Sequence, residues 1–326
     1  MQKIKVILNR VVFVIIIIFI VLLVIESESS IRNFLGIELK DEVIEQNEVQ
    51  EENIKREKVE IEAGFAGNIN IDNSKMNIIF FDVGQADSTL IICDNIVTLV
   101  DAGNTYDGKN IVKGIKSLGI ERIDYLIGTH AHEDHLGGMS YIVDSFDIGN
   151  FYMPFCSSND FSFYTRLISS LSNKNIPINR VEVGNEFLLG NGRLEVMGVS
   201  NDEPENLNES SITLELSYGT LKYLFMADAE IANEECRTWN DVDVLKVGHH
   251  GSNSSTSQEF LNQVLPEISV ISVGKENDYE LPKENVLERL ENIGSNIYRT
   301  DLDGTLQIIS DGEKNEVVKI DVSFDG

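Results

Sequence analysis

Positively charged residues are scarce in this sequence. Its 326 residues include 26 Lys and Arg against 54 Asp and Glu, which gives a formal net charge of −28. A surface of that sign repels polyanions at long range, and this weighs against a protein that binds nucleic acid through a basic patch. Bound divalent cations can reverse the sign locally, so a phosphate-containing substrate is not excluded.

Cysteine is also rare. Cys93, Cys156 and Cys236 are far apart and form no CxxC pair. Three isolated cysteines exclude a disulfide framework and a cysteine-rich zinc site. We predict that they are buried apolar residues of the core.

Only one long hydrophobic run is present, over residues 11–25, and Lys3, Lys5 and Arg10 precede it. With residues 4–8 added, the run is long enough for a bilayer core of about 30 Å. The positive flank predicts that the N-terminus stays in the cytoplasm. Residues 1–25 are therefore predicted to be a signal anchor of a single-pass cell-membrane protein whose remaining chain is extracytoplasmic. Cleavage as a signal peptide, which would give a secreted protein, is the alternative.

Residues 26–75 are rich in Glu, Asn, Asp and Lys and contain no clear apolar stripe. This composition predicts an acidic polar linker or stalk, although residues 43–61 are also compatible with a charged helix. A folded domain is predicted over residues 76–326.

Short apolar strands and amphipathic helices fill this predicted domain. Two β-rich stretches, residues 77–101 and 193–226, are each followed by helices. The pattern predicts an α/β sandwich with two sheets facing each other. It also predicts one helix over residues 136–145, another near 230–239, and three final strands between 296 and 322.

All five histidines fall in two short segments, residues 130–135 and 249–250. In the first, His130, His132, Asp134 and His135 lie within six residues, directly after an apolar strand. Imidazole nitrogens and carboxylate oxygens suit zinc, and they also suit manganese or iron. Because His130 and His132 alternate while Asp134 and His135 are adjacent, the spacing favours two ions rather than one.

The pattern His130-x-His132-x-Asp134-His135 resembles the defining motif of the metallo-β-lactamase superfamily. Residues 81–88 (FDVGQADS), 227–230 (ADAE), 246–252 (KVGHHGS) and 300–304 (TDLDG) follow in an order similar to that of the ComEC-like family, whose type member is a competence protein with an extracytoplasmic hydrolase domain. The resemblance covers nearly all of residues 76–323. It implies an αββα sandwich that binds two divalent metal ions, zinc or manganese.

The resemblance also implies metal-ligand roles. The first two histidines of the motif would bind one ion, its last two residues would bind the other, and Asp228 would bridge them. On its own, Asp228 is a strand-end aspartate of the kind that often caps a turn or helix. His249 would complete the second ion's ligands and His250 would face the substrate, or the two would exchange roles. The predicted ligands are His130, His132, Asp134, His135, Asp228 and His249.

Further residues are predicted around the ions. Residues 251–257 read as a helix N-cap, as a cradle of N–H groups for a phosphate, or as both. Lys246 is either a solvent-facing strand residue or an anion contact. The predicted substrate contacts are Lys246, His250, Ser252 and Ser254. Asp82 and Asp101 are predicted either to support a ligand imidazole from behind or to form turns, and Asp301 is predicted to shape a tight turn below the site, from which it would support the ligands.

Two features depart from common patterns of the superfamily. Many members have a further histidine ligand before the bridging aspartate; here none lies between His135 and His249, and residues 208–210 (NES) occupy the expected region. ComEC-like domains share that lack. In addition, Leu281 precedes Pro282 where relatives commonly have a His-Pro pair, and leucine can neither bind metal nor transfer a proton.

The resemblance implies hydrolysis by a metal-bridged hydroxide that Asp134 orients, with His250 as a second catalytic residue. A phosphodiester is the predicted substrate class, with DNA as one candidate and a small or envelope-linked phosphodiester as another. Two alternatives remain at this stage. The same metal core could hydrolyse carboxylic esters, lactones or β-lactams, or the chain could be a binding module that retains metal without catalysis.

Overall fold

A computed structural model describes residues 69–154, 161–200 and 206–325 of the chain. All of these residues belong to one compact unit, residues 64–326. The predicted membrane segment and residues 26–68 of the predicted linker lie outside the described residues. Within the described ranges, no helix is both long enough and apolar enough to cross a membrane.

Fifteen strands and eight α-helices are described, together with two short 3-10 turns at Leu207–Ser210 and Gly248–Gly251. The strands are β1 (Met76–Phe80), β2 (Thr89–Cys93), β3 (Ile96–Val100), β4 (Arg122–Ile127), β5 (Asp147–Tyr152), β6 (Ile178–Asn179), β7 (Glu186–Leu189), β8 (Gly192–Gly198), β9 (Thr213–Tyr218), β10 (Leu221–Phe225), β11 (Val244–Lys246), β12 (Ile268–Ile271), β13 (Asn296–Arg299), β14 (Thr305–Ser310) and β15 (Asn315–Ile320). The helices are α1 (Gly108–Ser117), α2 (Glu133–Leu136), α3 (Met139–Ser145), α4 (Ser162–Asn173), α5 (Ile231–Glu235), α6 (Gln258–Val264), α7 (Glu284–Asn292) and α8 (Thr300–Asp303).

The strands form two sheets of similar construction. The first has the order β15-β14-β1-β2-β3-β4-β5-β6, and the second has the order β13-β12-β11-β10-β9-β8-β7. Each sheet is antiparallel in one part and parallel in the other, with β3 to β6 and β10 to β13 forming the parallel parts. Side chains after parallel strands meet at one edge of a sheet, which is where ligand sites of such sheets usually form.

The core has three apolar layers. Because side chains alternate along a strand, Ile78 and Phe80 face the second sheet while Ile79 and Phe81 face the opposite way. Helices α1, α3 and α4 cover the outer face of the first sheet, and α6 and α7 cover that of the second. This arrangement confirms the predicted αββα sandwich.

The hairpin between β2 and β3 turns at Asp94 and Asn95, as the sequence predicts. Their φ values of 48° and 66° are those of a type I′ turn, for which Asn and Asp are favoured residues. The turn sets the register of the hairpin, which pairs Cys93 with Ile96.

Several predicted elements differ in the structure. The helix predicted over 136–145 is two helices, α2 and α3, because the Gly138 amide donates to the Gly103 carbonyl and not to Asp134 four residues back, whose carbonyl accepts from the Asp87 amide. The helix predicted near 230–239 spans only Ile231–Glu235. Of the three final strands, β13 joins the second sheet and β14 and β15 join the first, because α8 carries the chain across between them. Strands β5, β6 and β7 were not predicted.

The prediction that the cysteines are buried in the core is confirmed for Cys93 and wrong for Cys236. Cys93 is buried, and burial raises the pKa of its thiol to about 11. Cys236 is exposed, so its predicted burial is wrong; its thiol donates to the Ala232 carbonyl 3.1 Å away, one turn back in the chain. Cys156 lies outside the described residues.

Gly138 is required by close backbone packing. A Cβ atom at this position would collide with the Ala102 carbonyl oxygen and would lie 2.9 Å from the Gly108 Cα. Because backbone atoms cannot rotate away, we expect Gly138→Ala to lower the free energy of unfolding by about 1–3 kcal/mol. Chemical denaturation measures the change. Asp144→Ala, at an exposed position of α3, is the control and should change stability by less than about 0.5 kcal/mol. Equal stability of the two variants would contradict this packing argument.

Candidate metal centre

The candidate ligands lie at the ends of strands that reach the same edge of the two sheets. Asp101 follows β3, and His130 follows β4 after a short loop. The Thr129 amide donates to the Asp101 Oδ1 atom at 2.8 Å, and the Thr129 hydroxyl to Oδ2 at 2.8 Å, which ties the two strand ends together. His132 stands at the N-cap of α2, so Asp134 falls in the first turn of this helix.

Asp228 is the centre of the arrangement. It follows β10 and is 1% exposed. Its Oδ1 atom lies 3.3 Å from His135 Nε2 and 3.7 Å from His250 Nε2. Its Oδ2 atom lies 3.7 Å from His130 Nε2 and 3.7 Å from His249 Nε2. Each oxygen of one buried carboxylate therefore faces two imidazoles.

The donor atoms form two groups that share this carboxylate. In each group the candidate ligand atoms all lie within 4.8 Å of one another. Such nitrogen and oxygen donors suit zinc, manganese and iron. One group comprises His130, His132 and Asp228; the other comprises Asp134, His135, Asp228 and His250.

Three buried atoms of the second group show that these residues fit a cation. His135 Nε2, His250 Nε2 and Asp228 Oδ1 are inaccessible to solvent and have no hydrogen-bond partner among the described residues. Buried polar atoms are nearly always paired, and three that converge on one place match the donor set of a bound divalent ion.

Hydrogen bonds behind two of the imidazoles set their tautomers. His135 Nδ1 lies 2.8 Å from Asp101 Oδ2, and His250 Nδ1 lies 2.8 Å from the Ser272 carbonyl oxygen. Both partners accept hydrogen bonds, so Nδ1 carries the proton in each ring. The Nε2 lone pairs of both histidines then point toward Asp228, as metal binding requires.

The carboxylates give the site a strongly negative potential. Burial alone lowers the pKa of His250, but the neighbouring Asp228 and Asp134 carboxylates raise it to about 9. Burial raises the pKa of Asp228, yet the neighbouring His135 and His250 hold it well below its usual range. Protons therefore occupy the place where a cation would neutralise the same carboxylates, and metal and protons compete there.

A cavity of about 520 Å³ opens onto the donors. Asp134 and His250 line it, so both predicted catalytic residues reach the space where a substrate would bind. Leu281 lies in its wall, in the place where relatives commonly have histidine. Among the described residues of the wall, none is Lys or Arg. The lining residues are Gln85, Asn104, Tyr106, His132, Glu133, Asp134, Asp228, His249, His250, Tyr279 and Leu281.

Lys246 does not line this cavity. It is 3% exposed, and its ammonium group donates to Asp87 Oδ2 at 2.9 Å and to the Val247 carbonyl at 3.2 Å. The predicted contact between Lys246 and an anionic substrate therefore has no support in its position. Asp87, which the sequence analysis did not single out, lies beneath the donors, with Oδ1 3.8 Å from His250 Nδ1.

The serine-rich loop after His250 is also bonded within the protein. Ser257 caps α6, with its hydroxyl accepting from the Phe260 amide at 3.1 Å. The amides of Thr256 and Ser257 donate to the buried Glu234 carboxylate, the latter at 2.9 Å, so they are not free to hold a phosphate. Of the two interpretations of this loop, the structure supports the helix N-cap.

Ser252 and Ser254 likewise do not line the cavity. The Ser254 hydroxyl lies 3.0 Å from His249 Nδ1, 3.0 Å from Glu230 Oε1 and 3.2 Å from the Ser252 hydroxyl. Ser254 and Glu230 therefore contact a candidate ligand from behind, a role that the sequence analysis did not identify. The only signal for Glu230 was its place beside Asp228 in the ADAE segment.

Of the three aspartates predicted to support the ligands, Asp101 alone contacts one. Asp301 pairs with Arg299, and its Oδ1 accepts from Arg299 Nε at 2.9 Å. Asp82 accepts from the Gly84 amide at 3.3 Å. The structure places neither Asp82 nor Asp301 against a candidate ligand.

Asp101→Asn is expected to weaken binding of the ion that His135 would hold, because the amide is a poorer acceptor for the Nδ1 proton. The loss should be about 10–100-fold in affinity. Metal titration of the full-length chain by calorimetry measures it. Asp301→Asn is the matched control and should leave metal affinity unchanged; equal effects of the two changes would contradict the assignment of Asp101.

Comparison with known proteins agrees with this geometry. Residues 81–275 match the model of the Metallo-beta-lactamase superfamily. The chain is similar to ComE operon protein 3 of Bacillus subtilis, with 27% identity over 259 residues, 72% of this chain and 33% of that protein. It is similar to competence protein ComA of Neisseria gonorrhoeae, with 30% identity over 260 residues, 73% of this chain and 33% of that protein. The chain thus spans about a third of the length of these relatives.

Among solved structures, the CmlA beta-hydroxylase E377D mutant has a similar fold. The TM-score is 0.52 with 14% identity, and the match covers 74% of this chain and 55% of that one. At this identity the likeness concerns the fold alone. The family match extends over more than half of the chain and contains His130, His132, Asp134, His135 and Asp228. The chain therefore belongs to the metallo-beta-lactamase superfamily, as a metal-dependent hydrolase related to the ComEC-like competence proteins.

Proposed function

We propose that this chain is a membrane-anchored, extracytoplasmic phosphodiesterase that uses two divalent ions, zinc or manganese. The observation that carries the proposal is the position of Asp228. One carboxylate with each oxygen facing its own donors is the arrangement that a pair of ions requires, and two-metal sites commonly cleave phosphate esters.

The donors of the two groups would hold the ions at the floor of the cavity. When bound, such ions supply an activated water and neutralise negative charge on the phosphoryl group. Asp134, whose side chain is 30% exposed, presents a carboxylate to the cavity and is the acceptor that orients the attacking water. His250 Nε2 lies 3.4 Å from Asp134 Oδ2, so the imidazole and this carboxylate would hold the same ion.

The charges of the cavity wall bear on whether the substrate is a polymer or a single phosphodiester. The described wall residues include no Lys or Arg, and the whole chain carries a net charge of −28. A polymer that binds along several phosphates needs several basic contacts, whereas a single phosphodiester needs only the ions. Single-stranded DNA is the candidate that the competence-protein relatives support, and a small or envelope-linked phosphodiester is the candidate that the charge supports.

Turnover by the full-length chain tests the proposal. We would assay bis-p-nitrophenyl phosphate and single-stranded DNA with zinc and with manganese, using His132→Ala as the control. Cleavage that depends on metal and is lost in the control is expected. Substrate binding that weakens steeply with salt concentration would identify DNA as the substrate, and binding that depends little on salt would identify a small ester. Bound metal without cleavage of either substrate would overturn the proposal in favour of another ester class or a binding module.

The anchoring part of the proposal is carried by the apolar run at residues 11–25 and the positive residues before it. We expect the chain to sediment with membranes of a bacterial host, and we expect protease added outside spheroplasts to digest it. Full protection from that protease would contradict the extracytoplasmic location. Release into the medium would instead identify a cleaved signal peptide.

A further inference from the structure

The two donor groups are unequal. The group around Asp228 Oδ1 has four residues, and the group of His130 and His132 has three. The histidine that many members of the superfamily place before the bridging aspartate is absent, and Asn208 lies in that region. His249 belongs to neither group, yet its Nε2 atom is 3.7 Å from Asp228 Oδ2, the oxygen that also faces His130 at 3.7 Å.

Contacts on the far side of the His249 ring determine which nitrogen is free. Nδ1 lies 3.0 Å from the Ser254 hydroxyl and 3.4 Å from Glu230 Oε1. The Ser254 hydroxyl donates to Glu230 Oε1 at 3.0 Å, so its lone pair accepts from the ring. Both neighbours of Nδ1 are thus acceptors, and Nδ1 carries the proton. Nε2 keeps its lone pair and directs it toward Asp228, as in other metal-binding histidines held by a carboxylate.

Asn208 is consistent with this tautomer. Its amide nitrogen lies 3.4 Å from His249 Nε2 and 3.3 Å from Glu230 Oε1, so it can donate to both acceptors. The amide therefore occupies the neighbourhood of the Nε2 lone pair without providing a strong metal donor of its own.

The backbone sends the two adjacent histidines to different oxygens. His249 and His250 have φ values of 46° and 53°, both in the left-handed region. The His249 amide donates to the Ala227 carbonyl at 2.9 Å, which fixes the turn beside Asp228. As a result His249 faces Oδ2 while His250 faces Oδ1.

We propose that His249 is the third imidazole of the first ion, together with His130, His132 and Asp228 Oδ2. Ser254 and Glu230 are its positioning residues, and His250 serves the second ion. This inference concerns metal binding and goes beyond the proposed function, because it stands whichever ester the protein cleaves.

Metal titration of the metal-free, full-length chain tests it. Stoichiometry and affinity are measured by calorimetry with zinc and by the absorption bands of cobalt(II), so no turnover is needed. The wild type is expected to bind two ions. His249→Ala should lower the affinity for one ion by more than about 100-fold and leave the affinity for the other unchanged. The expected loss is this large because removing a ligand costs more affinity than removing a residue that only orients one.

Paired substitutions then show which ion His249 serves. His130→Ala with His249→Ala should still bind one ion tightly, because both residues serve the same one. His249→Ala with His250→Ala should bind none tightly. Two ions with wild-type affinity in His249→Ala would overturn the proposal. Loss of both ions in the first pair, with one tight ion left in the second, would assign His249 to the second ion and would also overturn it.

A further variant keeps the test decisive if His249→Ala does not fold, which circular dichroism would show. Ser254→Ala should lower the affinity of the first ion by about 10–100-fold. Asn253→Ala, at the exposed residue directly before it, is its matched control and should leave the affinity unchanged. Wild-type affinity in Ser254→Ala would count against the positioning role. Where His249→Ala folds, adding Asn208→His should restore the lost ion, because the Asn208 amide nitrogen lies 3.4 Å from the place that His249 Nε2 occupies.

Discussion

Asp228→Asn is expected to abolish binding of both ions and to lower hydrolysis by more than about 100-fold, the upper end of the loss for residues that only orient ligands. The amide keeps the volume of the carboxylate but carries no charge, and four imidazoles face that one group. One substitution therefore removes the donor that the two groups share. Metal content per chain and turnover of bis-p-nitrophenyl phosphate measure the effect.

Glu133→Gln is the control for this substitution. Glu133 lines the same cavity and is an exposed carboxylate, but it belongs to neither donor group; it accepts from the Thr105 hydroxyl at 2.8 Å. We expect this variant to keep both ions. Two tightly bound ions in Asp228→Asn would show that Asp228 does not bridge them.

Lys246→Met is expected to lower the free energy of unfolding by roughly 3–5 kcal/mol, because it leaves the Asp87 carboxylate buried without its partner. The two groups lie 2.9 Å apart, and their side chains are only 3% and 6% exposed. Adding Asp87→Leu should recover most of the loss, since replacement of a whole buried pair by apolar residues is often neutral. Chemical denaturation measures the stabilities of the wild type, the single variant and the double variant.

Lys222→Met is the matched control on the neighbouring strand. Lys222 pairs with Glu215 at 3.7 Å, and its side chain is 38% exposed. Solvent screens such a pair, so the change should stay below about 1 kcal/mol. A loss in Lys246→Met that is no larger than this would contradict the structural role of the buried pair.

The sequence could predict that the side chains of the first motif converge, because their signal is local. His130, His132, Asp134 and His135 follow one apolar strand at a fixed spacing, and the strand determines where they point. The layers of the sandwich were equally predictable, since alternating residues such as Ile78 and Ile79 show both faces of a strand.

The remaining features depend on contacts between distant segments. Lys246 lies on a three-residue strand that is buried on both faces, by the first sheet on one and by the outer helices on the other. A strand that short and fully buried shows no alternation that would predict its position. The different directions of His249 and His250 come from left-handed backbone angles, which two consecutive histidines do not predict. Ser254 and Glu230 meet only because the loop after His250 returns to the start of α5.

The left-handed turn at His249 and His250 has a thermodynamic consequence. For residues with a Cβ atom, this backbone region costs about 1 kcal/mol or more each. Ions that bind only when both imidazoles face Asp228 stabilise the turn by mass action, so metal affinity and local unfolding are linked. Metal removal should therefore speed hydrogen exchange first at the Ser252 amide, which donates to the His249 carbonyl at 2.8 Å. The amides of β1, which lies between β14 and β2 in the interior of its sheet, should exchange at unchanged rates.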